Sequence, residues 1–329
     1  MEPKLKYFDA FSGIGGFSLG MPPNWECVGY SEIDKYAIQI YEKHFKHQNF
    51  GDITKINASE LPDFDLFCGG FPCQAFSIAG KRRGLDDTRG TLFFDIARIL
   101  KEKQPRLCLL ENVKGLLSHD NGRTFKTIIA TLTEVGYDIQ WQVLNSKNHG
   151  VPQNRERVFI IGHLRGTPRP KVFPFGYDTG KVNKEVKRER ITTSRTRNFG
   201  SSAQLHSPDE ICSTLTYSMG TGGNNVPCVL DSKAKTGFYA VLTPNRINKR
   251  QNGRRIKEDG EPSFTLTTQD IHGVSDGTKI RRLTPTECER LQGFDDGWTE
   301  GLSDTQRYKT LGNAVTVNVI KEIISKLIK

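Results

Sequence analysis

Short apolar runs alternate with amphipathic segments along the first half of the chain. The runs are bounded by glycines or acidic residues and have the length of buried strands, whereas residues 91–100 and 125–135 repeat apolar positions at helical spacing. Strands are predicted at residues 7–11, 27–32, 49–53, 65–70, 106–112, 139–144 and 158–161. The alternation continues to about residue 165 and predicts an α/β fold with a doubly wound, mostly parallel sheet.

The pattern changes after residue 167. Pro168, Pro170 and Pro174 mark a linker, and residues 181–280 are polar, basic and without helical periodicity. Within this region two Thr-rich runs resemble each other, at residues 210–216 and 261–267. The region is therefore predicted to be a small β-rich module, with chance similarity of the two runs as the alternative.

A helix start and an apolar helix follow this module. Thr284 is expected to cap a helix, with Pro285 at its first position and Glu287 three residues beyond the cap. Apolar residues from 311 to 328 predict a helix that returns to the first domain. The predicted division is residues 1–167, 168–280, a hinge at 281–310 and the returning helix at 311–329.

Charge is unevenly distributed. The chain carries a formal charge of +10, and residues 169–280 alone hold 18 Lys and Arg against 11 Asp and Glu, a net of +7. Such an excess in one segment suits a polyanion, because each neutralised phosphate releases counterions. A plain solvated basic surface is the alternative.

The cysteine pattern and the hydropathy of the chain narrow the classes of protein to which it can belong. The seven cysteines include no C-x-x-C pair, so neither a disulfide framework nor a zinc site is indicated, and a reducing compartment is favoured. The amino terminus has no apolar signal region, and no run reaches the length of a membrane span. We expect a soluble, cytoplasmic monomer without a bound metal or a membrane partner.

Cys73 is the first candidate for chemistry. It follows the predicted strand 65–70, at the end of the sheet where open α/β folds bind ligands. Residues 80–90 are glycine-rich and charged, and are expected to form a mobile basic loop beside it. This predicts a thiolate nucleophile beneath a closing loop. The alternative is an inert, buried cysteine.

The ends of the neighbouring predicted strands indicate a cofactor. A glycine turn at residues 12–17 allows close approach of a ligand, although its G-x-G-G run departs from the G-x-G-x-x-G dinucleotide fingerprint. Glu32 and Asp52 end the second and third predicted strands, where such folds bind ribose hydroxyls. An adenosine-containing cofactor is therefore predicted, the alternative being that each acid only caps a helix.

Three more charged residues are candidates for the same site. Glu111 ends the fifth predicted strand and is expected in the same crevice as Cys73. Arg155 and Arg157 alternate along an extended segment, which predicts that they face one side.

Together these runs closely resemble the DNA cytosine-5 methyltransferases of bacterial or phage restriction-modification systems, over nearly the whole chain. The matching pieces stand in the family's order and are Phe8–Gly16, Gly69–Gln74, Glu111–Val113, Gln153-x-Arg155-x-Arg157, Arg282–Cys288 and Gly312–Val315. The least similar region, about 168–280, is the variable target-recognition region of that family. The resemblance implies a Rossmann-like catalytic domain at 1–167 and a DNA-recognition domain at 168–280.

The resemblance also implies catalytic roles. Cys73 would add to carbon 6 of a flipped-out cytosine, and Glu111 would protonate or hydrogen-bond ring nitrogen 3. Arg155 and Arg157 would hold the base and the carboxylate. Carbon 5 would then take a methyl group from S-adenosylmethionine, which leaves as S-adenosylhomocysteine.

Cofactor and DNA contacts are carried over by position. The implied cofactor residues are Phe11, Ile14, Gly16, Glu32, Ile33, Asp52, Ile53, Pro72 and Asn313. Ile33 stands where that family often has an aromatic residue, which weakens the expected stacking on adenine. Contacts with double-stranded DNA are expected from Gln74, Ser77, Lys81, Arg82, Thr214, Arg246, Arg250, Arg254 and Thr265.

Two other classes remain as alternatives. One is a transfer-RNA cytosine-5 methyltransferase, although the Cys-Phe-Thr run of that branch is absent here and the 168–280 module is extensive. The other is a nonenzymatic DNA-binding relative, against which the presence of all four catalytic candidates argues. A cognate restriction endonuclease, where one exists, is expected to act as a separate protein.

Overall fold

The computed structural model describes residues 4–72, 92–176 and 283–327 and five short strands between residues 205 and 275. The first seven strands are β1 (Lys6–Ala10), β2 (Glu26–Ser31), β3 (Leu66–Gly70), β4 (Leu107–Val113), β5 (Tyr137–Asn145), β6 (Gln153–Asn154) and β7 (Glu156–Leu164). The short strands are β8 (Leu205–His206), β9 (Cys212–Ser213), β10 (Cys228–Val229), β11 (Tyr239–Leu242) and β12 (His272–Ser275). The α-helices are α1 (Gly16–Gly20), α2 (Lys35–His44), α3 (Leu92–Lys103), α4 (Arg123–Glu134), α5 (Pro285–Gln292), α6 (Asp304–Asn313) and α7 (Val317–Leu327).

A six-stranded sheet in the order β2-β1-β3-β4-β7-β5 forms the centre of the first part of the chain. The first four of these strands are parallel, and β7 pairs antiparallel with both β4 and β5. Strand order reverses between β1 and β3, which creates the crevice where such sheets bind ligands. The predicted α/β class with a mostly parallel sheet is confirmed.

Large apolar side chains fill the core around this sheet. Phe8 of β1, Phe67 of β3, Phe93 of α3, Leu110 of β4 and Ile160 of β7 are almost completely buried in one cluster. Burying one such side chain stabilises the fold by about 1.5–3 kcal/mol. These strands therefore read as nearly continuous apolar runs because both of their faces are covered.

Helix α7 completes this part of the molecule by packing on α1. A Cβ atom at Gly20 would lie 2.5 Å from Cγ2 of Ile320, so α1 and α7 approach as closely as they do only because residue 20 is glycine. Helix α7 and α1 therefore belong to the same compact unit.

The strand predicted at residues 49–53 is absent, and this prediction was wrong. Asn49 makes a single bridge with Tyr30, and the chain then turns through Gly51, whose φ of +71° favours glycine. The Asp52 carboxylate accepts the Thr54 amide and caps a short 3-10 helix at Ile53–Lys55. The helix-cap alternative for Asp52 describes its local role.

The helix predicted at residues 311–328 is also wrong in its extent. Helix α6 ends at Asn313, Ala314 is extended, and α7 begins only at Val317. The start predicted at Thr284 is confirmed, since Thr284 and Glu287 form a reciprocal capping box on α5 with Pro285 in the first turn.

The first part of the expected linker, residues 168–175, is held against the sheet by hydrogen bonds. Side chains of Gln140 and Gln142 on β5 exchange hydrogen bonds with the backbone of Pro170, Val172 and Phe175. The chain up to residue 175 therefore follows the outer strand of the sheet.

The chain divides into two compact units. The first contains residues 1–145, 156–175 and 317–329, and the second contains residues 146–155 and 176–316. In the second unit β8 pairs with β10, β11 with β12 and β6 with β9. The helices of the described residues are all too short or too polar to cross a membrane.

Candidate functional site

The carboxyl ends of β1 to β4 meet along one edge of the sheet. Phe11 follows β1, Glu32 follows β2 and Phe71 follows β3, and Glu111 lies near the carboxyl end of strand β4. Because these four strands are parallel neighbours, their carboxyl ends, and the four residues there, lie along the same edge of the sheet.

The Glu32 carboxylate is fixed by the glycine turn beside it. One oxygen accepts the Gly13 amide at 2.9 Å, and the other accepts the amides of Ile33 and Asp34 at 2.8 Å each. A carboxylate has about four lone-pair positions, so three amide bonds leave acceptor capacity for a hydroxyl. The arrangement orients an acid at the sheet edge as ribose recognition requires.

The surroundings of this carboxylate fit an adenosine-containing cofactor. No atom of the described residues lies within 4 Å of the position that a Cβ of Gly13 would take, so this side of the turn is open among them. The Ser12 hydroxyl is buried and has no hydrogen-bond partner among the described residues. Ile33 is 72% exposed, which presents an apolar side chain next to the acid.

The remaining predicted cofactor residues have diverse settings. Ile14 and Ile53 are buried in the core, and Gly16 begins α1, so these three present backbone at most. Phe11 adopts a left-handed conformation with φ of 53° and packs partly against the core, while Pro72 and Asn313 are exposed. Asn313 belongs to the second unit.

Glu111 and Arg157 form an ion pair at the end of β4. Nε of Arg157 lies 2.9 Å from Oε1 of Glu111, and only 15% and 12% of the two side chains are exposed. Burial lowers the pKa of Arg157, and the attraction of the Glu111 carboxylate opposes that effect. The structure thus pairs Arg157 with Glu111, while a role of either residue in catalysis stays a prediction.

Asn112 ties the end of β3 to β4, a role that sequence reasoning missed. Its side-chain amide donates to the Phe71 carbonyl at 2.9 Å, and its Oδ1 accepts the Val113 amide at 2.8 Å. The side chain is 1% exposed. The signal in the sequence is a polar residue directly after an apolar strand, beside the candidate acid.

Arg155 contacts backbone carbonyls of the second unit, and its orientation towards the same side as Arg157 stays a prediction. The guanidinium of Arg155 is buried and donates to the carbonyls of Gly312 and Ala314 at 3.1 and 2.8 Å. A contact between Arg155 and a base stays a prediction.

A buried carboxylate that sequence reasoning missed lies beneath the glycine turn. Asp9 of β1 is fully buried and accepts a hydrogen bond of 2.7 Å from Ser18, and the bonds continue from Ser18 to Tyr41 and from Tyr41 to His47. Burial raises the pKa of Asp9 to about 7, although the Ser18 bond opposes the shift. An acid inside an otherwise apolar strand is the sequence signal.

Several predicted residues lie outside the part of the chain that the structure describes. They include the candidate nucleophile and all predicted DNA contacts, namely Cys73, Gln74, Ser77, Lys81, Arg82, Thr214, Arg246, Arg250, Arg254 and Thr265. The predicted loop at residues 80–90 and the two Thr-rich runs also fall largely outside it. Among the described residues, no group of three or more His, Cys, Asp or Glu side chains could hold a metal ion.

Known proteins resemble this chain over its whole length. The sequence profile of the C-5 cytosine-specific DNA methylase family matches residues 5–329. The orphan methyltransferase M.SPRI of Bacillus phage SPR is 35% identical, covering 99% of this chain and 98% of its own. The type II methyltransferase M1.ScrFI of Lactococcus lactis subsp. cremoris is 38% identical over 99% of this chain and 78% of its own.

The fold also matches solved structures. The crystal structure of the S. pombe Dnmt2 methyltransferase superposes with a TM-score of 0.61 at 18% identity, covering 99% of this chain and 98% of that one. The profile match spans residues 5–329, and both relatives cover 99% of this chain. The chain therefore belongs to the C-5 cytosine-specific DNA methylase family.

Proposed function

We propose that the protein transfers a methyl group from S-adenosylmethionine to carbon 5 of a cytosine within a short specific sequence of double-stranded DNA. The reaction proceeds through a covalent bond between Cys73 and a flipped-out base. The observation that carries this proposal is the buried pair of Glu111 and Arg157, held at the end of β4 beside the strand that leads into Cys73.

Cys73 and Glu111 divide the activation of the ring. Carbon 5 of cytosine is a poor nucleophile, so the Cys73 thiolate uses a lone pair to form a bond to carbon 6, which breaks the 5,6 π bond and shifts that electron pair through the ring towards nitrogen 3. Glu111 protonates or hydrogen-bonds ring nitrogen 3 and thereby offsets the charge that develops there. Carbon 5 then takes the methyl group as S-adenosylhomocysteine leaves. A water molecule accepts the carbon 5 proton, the electron pair of that C–H bond restores the 5,6 double bond, and the thiolate leaves carbon 6.

Arg157 orients the acid during these steps. Its Nε–H engages Oε1 of Glu111, so Oε2 is the oxygen left to face the base. Arg155 is proposed to help hold the base, as the family resemblance implies. A stacked base admits attack at neither face, so the cytosine leaves the duplex before the thiolate adds.

The cofactor is held by the turn after β1 and by the neighbouring strand ends. S-adenosylmethionine supplies an electrophilic methyl group when bound. Glu32 accepts the ribose hydroxyls, Phe11 packs against adenine, and the rest of the site comprises Ile14, Gly16, Ile33, Asp52, Ile53, Pro72 and Asn313. The fixed Glu32 carboxylate and the open space at Gly13 support this assignment.

DNA is bound through the basic segment and the residues around the nucleophile. The net charge of +7 in residues 169–280 supports phosphate binding there. The proposed contacts are Gln74, Ser77, Lys81, Arg82, Thr214, Arg246, Arg250, Arg254 and Thr265. The protein acts as a cytoplasmic monomer, and any cognate restriction endonuclease acts separately.

The experiment uses DNA that carries 5-fluorocytosine, because fluorine at carbon 5 cannot leave as a proton and the covalent adduct accumulates. We expect wild type to form a denaturant-resistant adduct and Cys73→Ala to form none while still binding duplex. Cys27→Ala is the matched control, since burial raises the pKa of the Cys27 thiol to about 12, and it should retain the adduct. Wild type without any adduct, or methylating transfer RNA in preference to DNA, would contradict the proposal.

A further inference from the structure

The Glu111 carboxylate lies between the Arg157 guanidinium and the backbone of Gly70. Arg157 holds Oε1 at 2.9 Å. On the other side a Cβ placed on Gly70 would lie 3.0 Å from Oε2, and its next neighbours, Phe17 and the Glu111 carboxyl carbon, are 3.9 and 4.0 Å away. The Glu111 carboxylate is thus the group that a side chain at residue 70 would meet first.

The backbone of Gly70 is fixed in place. Gly70 pairs directly with Glu111 in the parallel ladder between β3 and β4. The next carbonyl, of Phe71, accepts the buried Asn112 amide at 2.9 Å. The end of β3 therefore cannot retreat from Glu111, and a side chain at residue 70 displaces the carboxylate instead.

The conformation of Gly70 does not itself require glycine. Its φ lies outside the left-handed range, so alanine is compatible with the backbone. Gly69 differs, because its Cβ would lie 2.5 Å from the Ala10 carbonyl oxygen on β1 and would force two core strands apart. The two adjacent glycines thus serve different purposes, strand packing at residue 69 and space for the acid at residue 70.

We propose that Gly70 is a positioning residue, which with Asn112 and Arg157 holds Oε2 of Glu111 where the carboxyl group meets ring nitrogen 3 of the target cytosine. This proposal rests on the proposed function, in which Glu111 supplies the proton or hydrogen bond. Displacing a catalytic group by a fraction of an ångström lowers the rate of the chemical step without weakening ground-state binding.

The test is a double-mutant cycle between Gly70→Ala and Glu111→Asp. Gly70→Ala should lower kcat by about 10- to 100-fold, with the KM for DNA within about threefold of wild type. Aspartate is one methylene shorter and withdraws the carboxylate from residue 70. In the Glu111→Asp background, Gly70→Ala should therefore change kcat by less than about threefold.

Controls separate positioning from folding. Gly115→Ala is the matched substitution, since its Cβ would meet Val113 alone among the described residues, at 4.0 Å, and it should behave as wild type. Gly69→Ala should be destabilised or unfolded. If Gly70→Ala does not fold, Asn112→Ala replaces it, because freeing the Phe71 carbonyl should lower kcat in the wild-type background and little further in the Glu111→Asp background.

The outcomes are distinguishable. Wild type that forms no adduct with 5-fluorocytosine DNA overturns the proposed function and this inference together. An active wild type with Gly70→Ala at the wild-type kcat, or with effects that multiply in the double variant, overturns the inference alone. A rise in the KM for DNA at unchanged kcat would also overturn it.

Discussion

Several polar candidate residues, in either compact unit, are held by hydrogen bonds to the backbone. Three amides fix Glu32, a single carbonyl fixes the Asn112 amide, and two carbonyls receive Arg155. A backbone partner remains when the side chain of its residue is substituted, whereas a side-chain partner is lost. The orientation of these side chains is therefore robust to substitution elsewhere on the surface.

Asp9 makes the stability of the protein depend on pH. Its pKa is raised to about 7, so the folded state binds this proton more tightly than the unfolded chain and loses stability as the pH rises toward and through 7. Asp9→Asn stays neutral. The difference in free energy of unfolding, Asp9→Asn minus wild type, should therefore rise by about 2–3 kcal/mol between about pH 5 and about pH 8.

Urea denaturation of both proteins across this pH range measures the difference. Asp296→Asn is the control, because Arg290 lowers the pKa of Asp296 and its titration lies below the range. A difference between Asp9→Asn and wild type that stays constant with pH would show that Asp9 is ionised throughout or accessible to water.

At the scale of elements, the break between α6 and α7 is imposed by distant side chains. Gln292 donates to the carbonyls of Leu311 and Ala314 at 2.7 and 3.2 Å, and Arg155 donates to those of Gly312 and Ala314. The last carbonyls of a helix lack intrahelical partners, and a cation there also complements the helix dipole. These donors end α6 where the apolar pattern continues.

Arg155→Lys should loosen this break without unfolding the second unit. A single ammonium cannot reproduce the planar donors of a guanidinium, so the amides of residues 311–316 should exchange with solvent about tenfold faster. Hydrogen exchange with mass spectrometry measures this. Arg290→Lys, at an exposed pair with Asp296, should leave exchange unchanged, and equal protection in Arg155→Lys and wild type would contradict the prediction.

The elements that the sequence predicted correctly are those specified locally. The capping box of α5 lies within four residues, and the buried strands read as apolar runs because both faces are covered. The two wrong predictions, the strand at 49–53 and the single helix at 311–328, failed because other interactions override the local pattern. Residues 49–53 have strand-like composition but Asp52 caps a turn, and the apolar run from 311 to 328 is interrupted by Arg155 and Gln292, which are remote in sequence.

The candidate site divides in the same way. Glu32 and Glu111 were predictable because an acid at the end of a parallel strand necessarily lies at the ligand-binding edge. Gly70 as space for the acid, Asn112 as a tie and the buried Asp9 depend on which strands become neighbours and in what register. Periodicity along one strand carries no information on that pairing.

At the scale of the whole molecule, we propose that sequence choice and chemistry reside in separate regions. Charge fixes a protein on phosphates, whereas reading sequence requires side chains at base edges. Replacing residues 176–280 with the equivalent segment of a relative that has another recognition site should move methylation to the donor's site. The graft begins at residue 176 because Gln140 and Gln142 hold the preceding backbone.

Bisulfite sequencing of DNA from cells that express the graft identifies the methylated sites. Cys73→Ala and Glu111→Gln in the graft should abolish methylation, which serves as the control for background activity. An active graft that still methylates the original site would place recognition outside residues 176–280.

The packing of α7 on α1 has a consequence for synthesis on the ribosome. Helix α7, which packs against Gly20, lies almost a full chain length after α1 in the sequence. The ribosome therefore releases β1, β2 and α1 long before α7. At about 5–20 residues per second, translation of the intervening chain takes on the order of 15–60 s. During that interval the face of α1 that α7 covers in the folded protein stays exposed on the nascent chain.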